Sequence, residues 1–128
     1  MNWIDDGLAV GDETDITREG WDVLRKANID LSIDIRNYFT MSKVGNMSDV
    51  NPLRKIWKFV DLLVQLTNAG WKIFIYCQAG IDRSPFVAML YIHRKQELSF
   101  ADSYKWIIRE RPQTHEHWEW VEVVKGNE

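Results

Sequence analysis

The feature that most constrains the fold is a strand, a tight loop and a helix in direct succession around the chain's one cysteine. The segment from Trp71 to Tyr76 is rich in β-branched and aromatic residues, which predicts a buried strand. Apolar residues from Phe86 to Ile92 recur at helical spacing, with Ser84 as a candidate N-cap and Pro85 at the first helical position. The segment from Cys77 to Arg83 is therefore expected to join a buried strand to a helix N-terminus.

Two more strands and two helices are predicted before this unit. The run from Gly7 to Gly11 indicates an edge strand, and the alternation from Ile29 to Ile35 is typical of a half-buried strand. Helices are predicted from Thr17 to about Ala27, and from Pro52 to about Asn68. The polar stretch 36–51 between them is interpreted as a long loop, and such loops are often functional.

Helices thus alternate with strands along the chain. A helix capped by Ser99 is predicted through Ile108, and a last one from His115 to Val124. This alternation is typical of an α/β sandwich with a central, mostly parallel β-sheet flanked by α-helices. No linker or repeat interrupts the pattern, so residues 1–128 are predicted to form a single domain.

Composition excludes several other classes of protein. Hydrophobic residues make up 45% and charged residues 27% of the 128 residues, which is the balance of a folded globular protein. The net charge of -3 gives no overall attraction to nucleic acid. No apolar run approaches the roughly 20 residues that span a bilayer, and the N-terminus does not look like a secretory signal. A cytoplasmic, monomeric protein without a membrane span is expected.

The segment from Cys77 to Ser84, Cys-Gln-Ala-Gly-Ile-Asp-Arg-Ser, has the chemistry of an anion site. Backbone N–H groups that lead into a helix lack intrahelical partners and can converge on phosphate, and Gly80 allows the tight curl that this needs. The same amides and the helix dipole favour the thiolate of Cys77, which is a candidate nucleophile. At the other end of the loop, Arg83 can grip two phosphoryl oxygens. The candidate phosphate-binding residues are Gln78, Ala79, Gly80, Ile81, Asp82 and Arg83.

This segment resembles the signature of the cysteine-dependent protein tyrosine and dual-specificity phosphatases: Cys, five residues, Arg, then Ser or Thr. The segment from Arg109 to Trp118 also resembles the closing part of the compact dual-specificity enzymes. The resemblance implies hydrolysis of phosphate monoesters on proteins, with phosphotyrosine first and phosphoserine or phosphothreonine next. It implies that Cys77 forms a phosphocysteine, Arg83 stabilises the transferring phosphoryl group and Ser84 eases departure of the thiolate. It implies no metal or organic cofactor, and a phosphorylated protein as partner.

The reaction also needs an acid that protonates the leaving oxygen, and a mobile carboxylate commonly fills this role. In the family it is an aspartate on a loop before the cysteine, and Asp49, ahead of the Pro52 helix, fits best. Asp34, on a predicted strand, and Asp61, within a predicted helix, are poorer candidates. Asp82 is the second candidate, because Asp-Arg at this point resembles phosphoinositide phosphatases of the myotubularin and Sac type. The choice between Asp49 and Asp82 stays open, with Asp49 preferred.

Two positions depart from the family pattern and leave alternatives open. Tyr76 stands where the family usually has a histidine, so an altered stability of the thiolate is expected. Asp82 leaves a phosphoinositide or other small-molecule phosphatase as an alternative, although the loop has no lysine for extra phosphates. A catalytically inactive phosphate-binding module is a further alternative. The joint presence of Cys77, Arg83 and Ser84 argues against it.

Five basic residues outside the loop have an ordinary interpretation. His93, His115 and His117 do not lie in the motif and are interpreted as surface or packing residues. Arg109 and Arg111 are left open between surface charge and a rim that contacts substrate phosphate.

Overall fold

The structure is a computed structural model, which describes residues 1–37 and 55–128. Its strands are β1 (Asn2–Trp3), β2 (Leu8–Asp12), β3 (Leu31–Asp34) and β4 (Ile73–Cys77). Its helices are α1 (Arg18–Lys26), α2 (Ile56–Asn68), α3 (Arg83–Gln96), α4 (Phe100–Glu110) and α5 (Trp118–Val124). Short 3-10 turns span Glu13–Ile16, Ile35–Asn37 and Lys125–Asn127.

The four strands form a mixed sheet in the order β1-β2-β4-β3. Strands β2 and β3 both pair with β4 in parallel, whereas β1 is antiparallel to β2. The register places Asp12 opposite Cys77 and Asp34 opposite Tyr76. The carboxyl ends of three strands therefore meet at one edge, and the predicted α/β class with a mostly parallel sheet is confirmed.

The strand predicted from Gly7 to Gly11 is observed as β2, but it is not an edge strand. Residues Asn2–Trp3 pair with it as β1, so β2 lies between β1 and β4. A strand of two residues shows no alternation in the sequence, and its pairing depends on the path of the whole N-terminal segment. For this reason the edge prediction is wrong.

Apolar side chains cover both faces of the sheet. Ile73 and Ile75 of β4 lie in the main core together with buried residues of α2, α3, α4 and α5. Phe74, between them, packs on the opposite face with Ala9 and with Leu24 of α1. This is the alternation of a pleated strand. The fold therefore has three layers, which are α1, the sheet, and helices α2 to α5.

The helix starts agree with the predicted caps in two cases. Thr17 accepts a hydrogen bond from the backbone of α1, and Ser99 accepts one from Asp102 at 3.1 Å. The helix after the cysteine begins at Arg83, so Ser84 lies in its first turn and is not its N-cap.

Helix α2 is described from Ile56, and the predicted start at Pro52 lies outside the described residues. Across residues 1–37 and 55–128, no helix has the length and apolar character needed to cross a membrane.

Candidate active site

The cysteine loop lies between a parallel strand end and a helix start. Cys77 is the last residue of β4, and its side chain is only 2% exposed. After five intervening residues the chain enters α3 at Arg83. The loop therefore occupies the crevice beyond the carboxyl ends of the strands, where ligands bind in open α/β sheets.

Gly80 is required by the curl of this loop. Its φ of +67° lies in the left-handed region, which side chains other than glycine rarely adopt. A Cβ added here would lie 2.5 Å from the carbonyl oxygen of Gly11 and 2.5 Å from Nη2 of Arg111. Both conformation and space thus exclude a side chain at this position.

The sulfur of Cys77 lies against the first turn of α3. Its Sγ is 3.2 Å from Oγ of the buried Ser84, and the Ser84 backbone N–H donates to the sulfur at 3.5 Å. The Ser84 hydroxyl also lies 3.4 Å from the Gly11 carbonyl oxygen, which can accept its proton. A sulfur at a helix N-terminus with a hydroxyl beside it is an environment that stabilises negative charge on the sulfur.

A second group of charges lies at the carboxyl ends of β2 and β3, and we call Glu13, Asp34 and Arg36 the strand-side wall. Arg36 Nε donates to Asp34 Oδ1 at 3.0 Å, and Arg36 Nη1 donates to Glu13 Oε2 at 3.1 Å. The hydrogen bonds from Arg36 hold the pKa of Asp34 below its usual value, against the effect of burial, and the charge of Arg83 acts in the same direction. Asp34 is therefore an ionised partner of Arg36, which argues against Asp34 as the acid.

Arg111 supports the loop from beneath. Its side chain is buried, with the residue 3% exposed, and Nε donates to the Gly80 carbonyl oxygen at 2.6 Å. Nη1 donates to Asn2 Oδ1 at 2.6 Å. Burial lowers the pKa of Arg111, and the charges of nearby acidic groups oppose this. The sequence left Arg111 open between a surface charge and a rim that contacts substrate phosphate. Both interpretations are wrong, because the guanidinium is buried and donates to backbone and side-chain acceptors inside the protein.

Asp82 faces two histidines. Its Oδ1 lies 2.6 Å from Nε2 of His117 and 3.3 Å from Nδ1 of His115. The surface or packing interpretation is confirmed for His117, whose ring stacks on Trp120, although its contact with Asp82 of the loop was not predicted. The interpretation is also confirmed for His93, whose ring stacks on Phe100 with centroids 4.0 Å apart.

Three further residues singled out in the sequence are Asp49, Asp61 and Tyr76. Asp49 lies outside the described residues. Asp61 of α2 pairs with Arg94 of α3 at 3.5 Å and links two helices. Tyr76 stacks on Phe74 with ring centroids 5.5 Å apart, on the face of the sheet opposite to its neighbour Cys77. Its effect on the thiolate stays a prediction.

The sequence did not predict that Arg111, His115 and His117 hold the loop from the C-terminal side. The signal near them was the resemblance of the segment from Arg109 to Trp118, with its Arg-Pro break after α4, to the closing part of compact dual-specificity phosphatases. As for metals, residues 1–37 and 55–128 contain no group of three or more His, Cys, Asp or Glu that could hold an ion.

Comparison with known proteins agrees with the fold. The family model "Dual specificity phosphatase, catalytic domain" matches residues 17–125. Human dual specificity protein phosphatase 1 is 29% identical over 52 residues, which are 41% of this chain and 14% of that protein. The tyrosine-protein phosphatase vhp-1 of Caenorhabditis elegans is 38% identical over 52 residues, which are 41% of this chain and 8% of that protein. The matched part is thus a small fraction of each relative's length.

A solved structure shows the same fold over nearly the whole chain. The crystal structure of human DUSP28 has a TM-score of 0.77 at 17% sequence identity, and the likeness covers 99% of this chain and 91% of that one. Because the family model spans most of the sequence, the chain belongs to the family of dual specificity phosphatase catalytic domains. The resemblance seen in the sequence is confirmed.

Proposed function

We propose that this chain is a protein phosphatase that hydrolyses phosphate monoesters through a phosphocysteine intermediate. Phosphotyrosine is the first expected substrate, followed by phosphoserine and phosphothreonine, and residues 1–128 act as one catalytic domain. One observation carries the proposal: the buried Cys77 sulfur lies on the N-terminus of α3, within hydrogen-bond distance of the Ser84 hydroxyl and N–H. The family match supports the same reaction.

In the first step, Cys77 thiolate attacks phosphorus while the loop N–H groups and Arg83 hold the phosphoryl oxygens. A sulfur–phosphorus bond forms as the bond from phosphorus to the ester oxygen breaks. An aspartic acid gives its proton to that oxygen, so the dephosphorylated hydroxyl leaves neutral.

In the second step, water attacks the phosphocysteine and gives a proton to the same aspartate. The sulfur–phosphorus bond breaks, inorganic phosphate is released and the thiolate is regenerated. The Ser84 hydroxyl, 3.2 Å from the sulfur, is placed to donate to the departing thiolate and so to favour this step.

Turnover of p-nitrophenyl phosphate tests the function directly. We expect the wild-type chain to release p-nitrophenol and Cys77→Ser to fall to the background rate, because serine is a much weaker nucleophile than thiolate. Binding of inorganic phosphate by the wild type without any turnover would contradict the proposal and favour the inactive phosphate-binding module.

The acid is assigned by leaving-group dependence. We propose Asp49, and expect Asp49→Asn to lower kcat by about 100-fold or more on a phosphotyrosine peptide, and by less on p-nitrophenyl phosphate, whose leaving group needs little protonation. Asp82→Asn is the matched variant. The same pattern in Asp82→Asn, with Asp49→Asn unchanged, would transfer the role to Asp82.

A cytoplasmic location and a monomeric state remain predictions from the sequence.

A further inference from the structure

The chain after α4 touches three consecutive residues of the loop. We call Arg111, His115 and His117 the C-terminal brace. Arg111 Nε donates to the carbonyl oxygen of Gly80 at 2.6 Å, and the His115 backbone N–H donates to that of Ile81 at 2.7 Å. His117 Nε2 lies 2.6 Å from the carboxylate of Asp82. The second half of the loop is thus held from outside.

Asp82 lies at the start of α3, but its side chain does not cap the helix. It is the N-cap residue of α3, and an N-cap aspartate usually accepts hydrogen bonds from the free N–H groups of its own helix. Here the side chain makes no such bond, and φ and ψ of −118° and −74° depart from the extended conformation of a capping residue. Its carboxylate is turned towards His117 and His115 instead.

The difference matters because a capping carboxylate and a phosphate need the same donors. An anion at a helix N-terminus binds the N–H groups of the first turn, which are the groups an N-cap side chain would occupy. The carboxylate of Asp82 is covalently part of the loop, so its effective concentration at those N–H groups would be high. A carboxylate free to cap α3 would therefore compete with phosphate.

His117 is itself firmly placed. Its ring stacks on Trp120 with centroids 3.7 Å apart and planes inclined by 7°, and Nδ1 lies 2.7 Å from Glu119 Oε1. Its backbone N–H donates to the buried Tyr104 hydroxyl at 2.9 Å. The two ring nitrogens therefore face two different carboxylates, Nε2 that of Asp82 and Nδ1 that of Glu119.

We propose that His117 is a positioning residue that holds the Asp82 carboxylate away from the N-terminus of α3 and so keeps the phosphate site open. The inference rests on the proposed function only in that the loop binds phosphate. It does not depend on turnover.

The test compares the whole chain with His117→Asn and His117→Gln. Asparagine keeps a polar group towards Glu119 but is too short to reach Asp82, whereas the glutamine amide can reach the position of Nε2. We expect His117→Asn to weaken inorganic phosphate binding, measured by calorimetry, by about tenfold, the scale of one hydrogen bond to a charged group. His117→Gln is expected to stay close to the wild type. His93→Asn, at a stacked histidine remote from the loop, is the matched control.

The decisive variant is the double substitution Asp82→Ala with His117→Asn. Alanine cannot cap α3, so the double variant is expected to bind phosphate at least as tightly as the wild type. A merely structural role for His117 predicts no such recovery, since losses of packing are not repaired by a second truncation. Phosphate affinity unchanged in His117→Asn, or still weakened in the double variant, overturns the proposal.

Two further provisions ensure that the phosphate titrations either support or contradict the role of His117. If His117→Asn does not fold, His117→Phe, which keeps a ring on Trp120 and removes both nitrogens, replaces it with the same expectations. If the wild type binds phosphate but releases no p-nitrophenol, the proposed catalytic function fails while the phosphate titrations still decide the role of His117.

Discussion

The two sides of the loop hold their carboxylates with different basic side chains. In the strand-side wall, Arg36 binds Asp34 and Glu13. On the other side, His117 lies between Asp82 and Glu119. The guanidinium of arginine is a planar fork of donors that can bind two carboxylates at once, whereas a histidine ring has one nitrogen on each side. The strand-side wall therefore depends on one guanidinium, while the C-terminal brace has Asp82 and Glu119 at opposite nitrogens of one ring.

The C-terminal brace also differs from the strand-side wall in depth. Arg111 is buried beneath the loop, whereas the side chain of Arg36 is 33% exposed. A buried guanidinium that satisfies backbone carbonyls contributes far more to stability than an ion pair in contact with water. The largest response to substitution is therefore expected on the C-terminal side.

Replacing Arg111 by methionine is expected to have the largest effect. The buried carbonyl oxygen of Gly80 and the partly buried Oδ1 of Asn2 lose their donor, and an unsatisfied buried acceptor costs about 1–3 kcal/mol. We expect the free energy of unfolding, measured with urea, to fall by about 3 kcal/mol, together with a loss of kcat for p-nitrophenyl phosphate.

Arg109→Met is the control for this prediction, because Arg109 is exposed and, within residues 1–37 and 55–128, forms an ion pair only with its neighbour Glu110. Its free energy of unfolding is expected to change by less than about 0.5 kcal/mol. If Arg111→Met is as stable as the wild type, the buried support of the loop is not needed for folding, and the contrast between the two sides fails.

Replacing Arg36 by alanine is expected to have a smaller effect that depends on pH. Because Arg36 lowers the pKa of Asp34 in the folded chain, the pair stabilises the protein above the unfolded pKa of about 3.9 and loses this contribution as the pH falls through the folded pKa. Urea unfolding at neutral pH should show a loss of about 1 kcal/mol or less, as is usual for partly exposed pairs.

The curves of the Arg36→Ala variant and the wild type should converge in acid. Arg25→Ala, which removes an exposed pair with Asp22, gives the baseline for an ordinary surface arginine. A difference between Arg36→Ala and the wild type that persists unchanged to the acid limit would mean that Arg36 acts through packing.

The smallest effect is expected at Glu119. Burial raises the pKa of Glu119, but hydrogen bonding to His117 and to the backbone outweighs this and lowers it overall. His117→Phe removes both ring nitrogens and with them this hydrogen bond, so the pKa of Glu119 should rise towards its usual value. Carboxyl carbon NMR titration measures this shift, and an unchanged titration would show that His117 and Glu119 are not coupled in solution.

Local patterns predicted most of the fold. The strand before Cys77, the caps at Thr17 and Ser99, and the order of helices and strands all depend on residues that are neighbours in the sequence. Strand β1 was not predicted because two residues show no alternation, and the N-cap of α3 was predicted at Ser84, two residues after the observed Asp82. The last helix was predicted from His115 but begins at Trp118. The assignment of Asp49 was made from sequence and remains a prediction.

The candidate site likewise has one part that the local sequence predicts and one part that only tertiary packing brings together. Cys77, Gly80, Arg83 and Ser84 lie within eight positions of one another, so the amino-acid sequence determined which residues form the loop and why a thiol there can meet an anion. Helical periodicity says which face of a helix is apolar, but not which loop that helix will approach. Only the packing of the C-terminal helices against the core decided that Arg111 would lie beneath Gly80 and that His117 would turn Asp82 away from α3.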